Sequence, residues 1–197
     1  MRREEPDCMG NRLYFELVPK NLMGKAPRTL MRKKEWESIS AHVFKRAGYK
    51  CEICGSKSRL QAHERYGVCG NTLVLLRIMC VCASCHLVTH IGFAHVIGKQ
   101  NQAFKRYSRL NNLSLSDALI DFEDAMKEWS KKDNIVNLDW SMIASPPYAG
   151  MISSMSQKKA GKSFHDCGKA LEYECECMLP LAHFSWRENV QIFSYNG

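Results

Sequence analysis

The apolar positions of the chain fall into helical stripes at three places. Trp36, Ile39, Val43, Phe44 and Ala47 lie on one side of a helical projection, Lys33, Lys34, Lys45 and Arg46 lie largely off it, and Gly48 closes the run. This predicts a core-facing helix. Leu115, Leu119, Phe122, Met126 and Trp129 repeat the pattern after Ser114 and Asp117, which resemble a capping box, and before Lys131 and Lys132; that stripe is expected to pack inward. A shorter helix is expected over 102–110 with Phe104 and Tyr107 inward. Between the first and the shorter helix, Leu60-Gln61-Ala62-His63 reads as a strand, and a helix is expected to begin at Cys82-Ala83-Ser84-Cys85. From Ser145 onward the run SPPYAGMISSMSQKKAGKS loses periodicity and reads as a linker or mobile tail, and the last 30 residues regain enough apolar and aromatic side chains for a short hairpin or strand.

Composition narrows the class. The chain has 197 residues, 45% hydrophobic, with 10 Cys and a formal net charge of +8. The apolar fraction is too high for wholesale disorder. No stretch is long and apolar enough for a membrane span, and no apolar run follows the charged amino terminus as in a signal peptide. A cytoplasmic, intracellular protein without membrane contact is therefore expected, nucleoid-associated if bacterial. Cysteines in that setting read as metal ligands and free thiols more naturally than as disulfides. The charge is unevenly placed. Residues 1–100 carry 17 basic and 8 acidic side chains, whereas residues 101–197 carry 11 and 12. Lys20, Lys25, Arg28, Arg32, Lys33 and Lys34 form a basic arm in a segment broken by Pro19, Gly24 and Pro27. That arm cannot be one continuous helix, and it suits the phosphates of a nucleic acid.

The strongest chemical signal is Cys51-x2-Cys54 followed, after 27 residues, by Cys82-x2-Cys85. Each Cys-x-x-Cys turns two sulfurs toward one point, so the two pairs can hold one Zn²⁺ tetrahedrally. Cys69 and Cys80 have no partner at that spacing and read as ordinary thiols. A second constellation overlaps the first. His86 and His90 are spaced i, i+4, His63 closes the strand, and Glu64 follows it. Strand, loop, strand and helix with ligands on the first strand and the helix make a ββα unit. His165, Cys167, Cys175, Cys177 and His183 lack knuckle spacing and read as incidental.

The segment CEICGSKSRLQAHERYGVCGNTLVLLRIMCVCASCHLVTHIGFA resembles the HNH, or ββα-metal, endonuclease motif in its zinc-stabilised four-cysteine form, as found in bacterial and phage proteins. The resemblance extends over about residues 17 to 142. It implies an α+β fold with a small ββα-metal core, a structural zinc knuckle pair and flanking helices. The organisation expected is a basic arm over 1–34, an HNH-like domain over 35–142 and a linker and tail over 143–197. It further implies a hydrolase that cuts DNA phosphodiester bonds. Cys51, Cys54, Cys82 and Cys85 would hold the structural zinc, while His63, His86 and His90 would hold a second divalent cation such as Mg²⁺, Mn²⁺, Ni²⁺ or Zn²⁺. Glu64 falls where the family usually has a general-base His. An alternative alignment makes His63 the base and Glu64 a ligand or orienting group, and both remain open. Arg77 stands nine residues before His86 where the family carries an amide, and Asn71 lies out of register. These departures motivate a second reading, a zinc-stabilised DNA-binding module of the same fold that does not cut.

Overall fold

The computed structural model describes residues 13–160. The chain enters along an extended segment, turns through a 3-10 helix at Lys20–Leu22 and a one-turn helix α1 (Pro27–Leu30), and continues into α2 (Lys33–Arg46). A long hairpin follows, β1 (Leu60–Cys69) and β2 (Thr72–Cys82), with Gly70 at φ +58° in the connection. Then come α3 (Ala83–Thr89), α4 (Ile91–Val96), α5 (Gln100–Asn111) and α6 (Leu115–Ser130). A short β3 (Asn137–Asp139) pairs in parallel with β2, so the sheet order is β1-β2-β3 and β1 is an edge strand. The architecture is α+β, and the last helix among the described residues, α7, spans Ser154–Lys159. Among the described residues, no helix is long and apolar enough to cross a membrane.

The hairpin is apolar on both faces, because helices cover both. Met79 and Val81 belong to a cluster completed by α3, α4 and α5 with Phe104 and Tyr107, and Ile78 and Cys80 belong to a second cluster with Ile39, Val43, Trp140 and Ile143. Pairing puts His63 opposite Met79 and Glu64 opposite Ile78. Successive residues of a strand point to opposite faces, so His63 projects toward α3 and Glu64 toward α2. An irregularity between Arg65 and Tyr66 shifts the register beyond them. There Gly67 lies so close to Leu76 that a Cβ would stand 2.9 Å from its Cδ1.

The helices at 33–46, 100–111 and 115–130 lie where the apolar periods place them, and Ser114 does form a capping box with Asp117. Three expectations need correction. The α6 stripe is only partly inward: Phe122 packs edge-on against Phe15 and Phe104, yet Leu115 and Leu119 are each 49% exposed. The helix packs over α5 and against the segment around Phe15 to Lys20, and its Leu115 and Leu119 side is left exposed. Residues 145–160, read as a linker, instead make a 3-10 turn at Ala149–Met151 and α7, and they bury Tyr148 and Ile152 in the second cluster. Their lack of period reflects short turns, each contributing one side chain. Cys69 is disulfide-bonded and is no ordinary thiol, and Cys80 is free and buried. The proposed terminal hairpin and the residues His165, Cys167, Cys175, Cys177 and His183 lie outside the described residues.

Glu35 ties the carboxyl-terminal turns to α2. It completes a capping box with Arg32 and accepts hydrogen bonds from the Ser153 amide at 2.7 Å and the Ser156 hydroxyl at 2.8 Å. Burial opposes its charge, but these donors outweigh burial and hold the carboxyl well below the usual carboxylate range.

Candidate metal centres

The first Cys-x-x-Cys forms a tight loop between α2 and β1. The Gly55 amide returns to the Cys51 carbonyl, Gly55 takes a φ of +73°, and the Cys51 amide bonds the Ser56 carbonyl. Glu52 anchors the loop: its carboxylate accepts from the Arg77 guanidinium and from the Cys80 amide, both at 2.5 Å. The second pair sits where β2 becomes α3, with Cys82 as the residue before the helix and Cys85 in its first turn. The four sulfurs lie within 4.8 Å of one another, and Cys54 and Cys82 are 3.7 Å apart. A tetrahedral zinc with bonds of about 2.3 Å places its sulfurs about 3.8 Å apart, so the four cysteines can hold a metal such as zinc.

Arg106 of α5, which no spacing in the sequence singles out, covers this cluster. Its Nη2 lies 3.1 Å from Cys54 Sγ, 3.4 Å from Cys85 Sγ and 3.7 Å from Cys82 Sγ. A guanidinium there offsets the excess negative charge that four thiolates place around one dication. Within the cluster, a hydrogen bond from Cys85 draws the Cys51 thiol down to about 4, and the same bond together with burial pushes Cys85 up. Cys80 stands apart, pushed up to about 11 by burial and by Glu52.

The second cluster is made of His63, His86 and His90, whose ring nitrogens also lie within 4.8 Å of one another. His86 Nε2 and His90 Nε2 are 3.1 Å apart, close to the roughly 3.3 Å expected of two ligands on a tetrahedral zinc with bonds of about 2.0–2.1 Å. His86 lies within α3 and His90 at its end, where the chain bends into α4. Burial, reinforced by the neighbouring His63, pushes both down to about 3, so they are uncharged at neutral pH with lone pairs available. His63 is 1% exposed, and both its ring nitrogens are buried without a hydrogen-bond partner. A cation would satisfy the unbonded nitrogens of His63, so the three residues fit a metal ion.

Neither Glu64 nor Glu16 belongs to the group of ligand atoms within 4.8 Å of one another. His63 and Glu64 nevertheless line one cavity of about 420 Å³, together with Glu16, Arg28, His90, Phe93 and Trp129. Glu64 is 3% exposed, its Oε1 lacks a hydrogen bond, and the Arg28 Nε lies 3.9 Å away. Burial raises its pKa, and Arg28 offsets only part of that. The arm therefore reaches the site through Arg28 and through Lys25 on the cavity wall. The other cations are spread out. Lys20 lies over the Trp129 ring, Arg32 pairs with Glu35, Lys33 pairs with Glu37, and Lys34 is exposed.

Glu16 is the second residue that the sequence did not mark. Its Oε2 lies 2.7 Å from His63 Nε2, and its Oε1 accepts from the Tyr66 amide on the open edge of β1. Comparisons of the chain with protein-family models, with curated proteins and with solved structures find no match.

Proposed function

We propose that the protein is a metal-dependent endonuclease of HNH type that hydrolyses DNA phosphodiester bonds. The observation that carries this reading is the convergence of three imidazoles, with the buried His63 and its partner His90 on the wall of a cavity that also holds a buried carboxylate and an arginine. Three histidines are a donor set for a divalent cation, which would supply charge stabilisation at the phosphate and the leaving oxygen. Glu64 takes the proton of the attacking water on its carboxylate. Its burial favours that role, since a carboxyl raised from its ordinary value is a better base near neutral pH. Arg28, at the cavity wall, holds a phosphate oxygen and keeps Glu64 ionised between turnovers. The zinc knuckle fixes the start of α3 and thereby the imidazoles that follow it.

Plasmid incubated with the purified protein and Mg²⁺, Mn²⁺ or Ni²⁺ tests the proposal, with His63→Ala and Glu64→Ala alongside. Nicking lost in both variants while DNA binding is retained supports it. Intact plasmid under all three ions, with DNA binding measurable, overturns it. One observation favours the second reading, a DNA-binding module without cleavage: Arg77 is committed to Glu52 and the zinc loop, so no amide from that position reaches the site. That reading expects DNA binding unchanged in His63→Ala and no nicking by the parent protein.

A further inference from the structure

We propose that the face beside the zinc knuckle, built from Arg59, Lys105 and Arg109, is a second nucleic-acid surface that grips the phosphate backbone of duplex DNA away from the histidine cavity. It rests on DNA being the partner, which both readings above share, and not on cleavage.

The charge on this face is unopposed. Two adjoining depressions, of about 390 Å³ and about 440 Å³, share Ser84, Arg106 and Arg109. Arg59 lines the first with Ser56 and Ser58, and Lys105 lines the second. No acidic side chain lines either depression, and neither has a residue in common with the histidine cavity. Arg59, Lys105 and Arg109 are exposed, and among the described residues none of the three is in an ion pair. The arm is the opposite case, since Arg28 faces Glu64, Arg32 pairs with Glu35 and Lys33 with Glu37.

Two elements present the cations. Helix α5 carries Lys105, Arg106 and Arg109 and no acid, while Phe104 and Tyr107 hold its other side in the core. Lys105 and Arg109 are spaced i, i+4 and so share a face. Arg59 closes the loop of the first cysteine pair, where its carbonyl accepts the Ala83 amide at 3.0 Å and the Ser56 hydroxyl accepts the Ser58 amide at 3.2 Å. Its backbone is thereby tied to the start of α3. Arg106 lies between the two elements with its Nη2 on the sulfurs. Even against the double negative charge of a zinc held by four thiolates, these four cations leave positive charge in excess. A guanidinium fork takes two phosphate oxygens at once, and the exposed Ser58 and Ser84 hydroxyls are further donors of the kind that phosphates accept. Lys105 stands 46 residues beyond Arg59, so no run of charge marks this face in the sequence.

The test uses the full zinc-loaded chain and a short labelled duplex, with binding followed by fluorescence anisotropy over a series of salt concentrations without Mg²⁺, Mn²⁺ or Ni²⁺. Arg59→Gln/Arg109→Gln is expected to bind roughly tenfold or more weakly and to lose about two from the slope of log affinity against log salt. Lys105→Gln/Arg109→Gln, confined to the exposed face of α5, is expected to do the same. Lys127→Gln/Lys131→Gln makes an equal change in net charge at two cations already paired with Asp124 and Glu128, and is expected to leave binding near that of the parent. Zinc content and thermal melts establish that each variant is folded. An equal loss in all three variants overturns the proposal, because net charge alone would then account for it, and so does displacement of the duplex by polyglutamate as effectively as by unlabelled DNA. Binding unchanged in both arginine variants overturns it while leaving the endonuclease reading to the plasmid assay. A parent protein that binds through this face and nicks no plasmid upholds it and removes the endonuclease reading. A parent protein that binds no DNA overturns both.

Discussion

The two clusters along α3 each gather their ligand atoms within 4.8 Å, and their surroundings differ in how polar atoms are satisfied. Around the cysteines, the backbone of the knuckle, the Glu52 anchor and the Arg106 guanidinium surround the four sulfurs, and of that guanidinium only Nε is buried without a hydrogen bond. Around the histidines, His63 Nδ1 and Nε2, Glu64 Oε1 and Tyr66 Oη are buried without hydrogen bonds, and a cavity opens beside them. The same contrast separates two buried carboxylates, since Glu35 has donors enough to lower its pKa, and Glu64, with Oε1 unbonded, has a raised one. A polar group with its partners in place stabilises the fold. One left wanting partners costs about 1–3 kcal/mol, which a structure tolerates where a ligand supplies what is missing.

Breaking the satisfied centre should have the largest effect. Cys54→Ser, or chelation of the metal, should unfold the hairpin and α3, because structural zinc supplies on the order of 10 kcal/mol or more of apparent binding energy to small zinc sites. Far-UV circular dichroism alongside metal content checks this. Changing the unsatisfied centre should do the opposite. On the proposed endonuclease reading, His90→Ala should lower nicking by about a hundredfold while moving the thermal midpoint by only a few degrees, as nicking assays and calorimetry will tell.

Glu35 sharpens the comparison through pH. Glu35→Gln should cost roughly 1–3 kcal/mol at pH 7 in a urea titration. Because the folded carboxyl is held below its unfolded value of about 4.3, its contribution is complete above that value and fades as pH falls toward the folded pKa. The gap between parent and variant should therefore shrink on acidification, and a gap that grew would contradict the assigned hydrogen bonds. Arg106→Gln should leave the fold intact and speed zinc transfer to a competing chelator by roughly tenfold. The smallest effect belongs to Leu119→Gln on the open face of α6, expected within about 0.5 kcal/mol; a larger loss would mean that this face is covered in the full chain.

The sequence marked those features that repeat or sit at fixed spacing. The helices over 33–46 and 100–111, both cysteine pairs and the His86–His90 pair follow from local periods, and the structure places each pair where its side chains can meet. Glu16 and Arg106 were invisible because nothing local links them to their partners. Glu16 reaches His63 from 47 residues away, and Arg106 lies on a helix whose periodicity reports only its buried side. The inward placement of the whole α6 stripe failed for a related reason. An apolar period says which side of a helix could be covered, and the number of layers decides how much of it is.

The cysteine and histidine clusters share α3 so closely that Cys85 and His86 are consecutive residues. A helix of seven residues has no room to bend between them, so the two ends act as one thermodynamic element. If zinc at its start raises the affinity for an ion at its end by some factor, that ion must raise the affinity for zinc by the same factor. Each centre is in that sense a regulator of the other, and titrating either one measures a coupling that belongs to both.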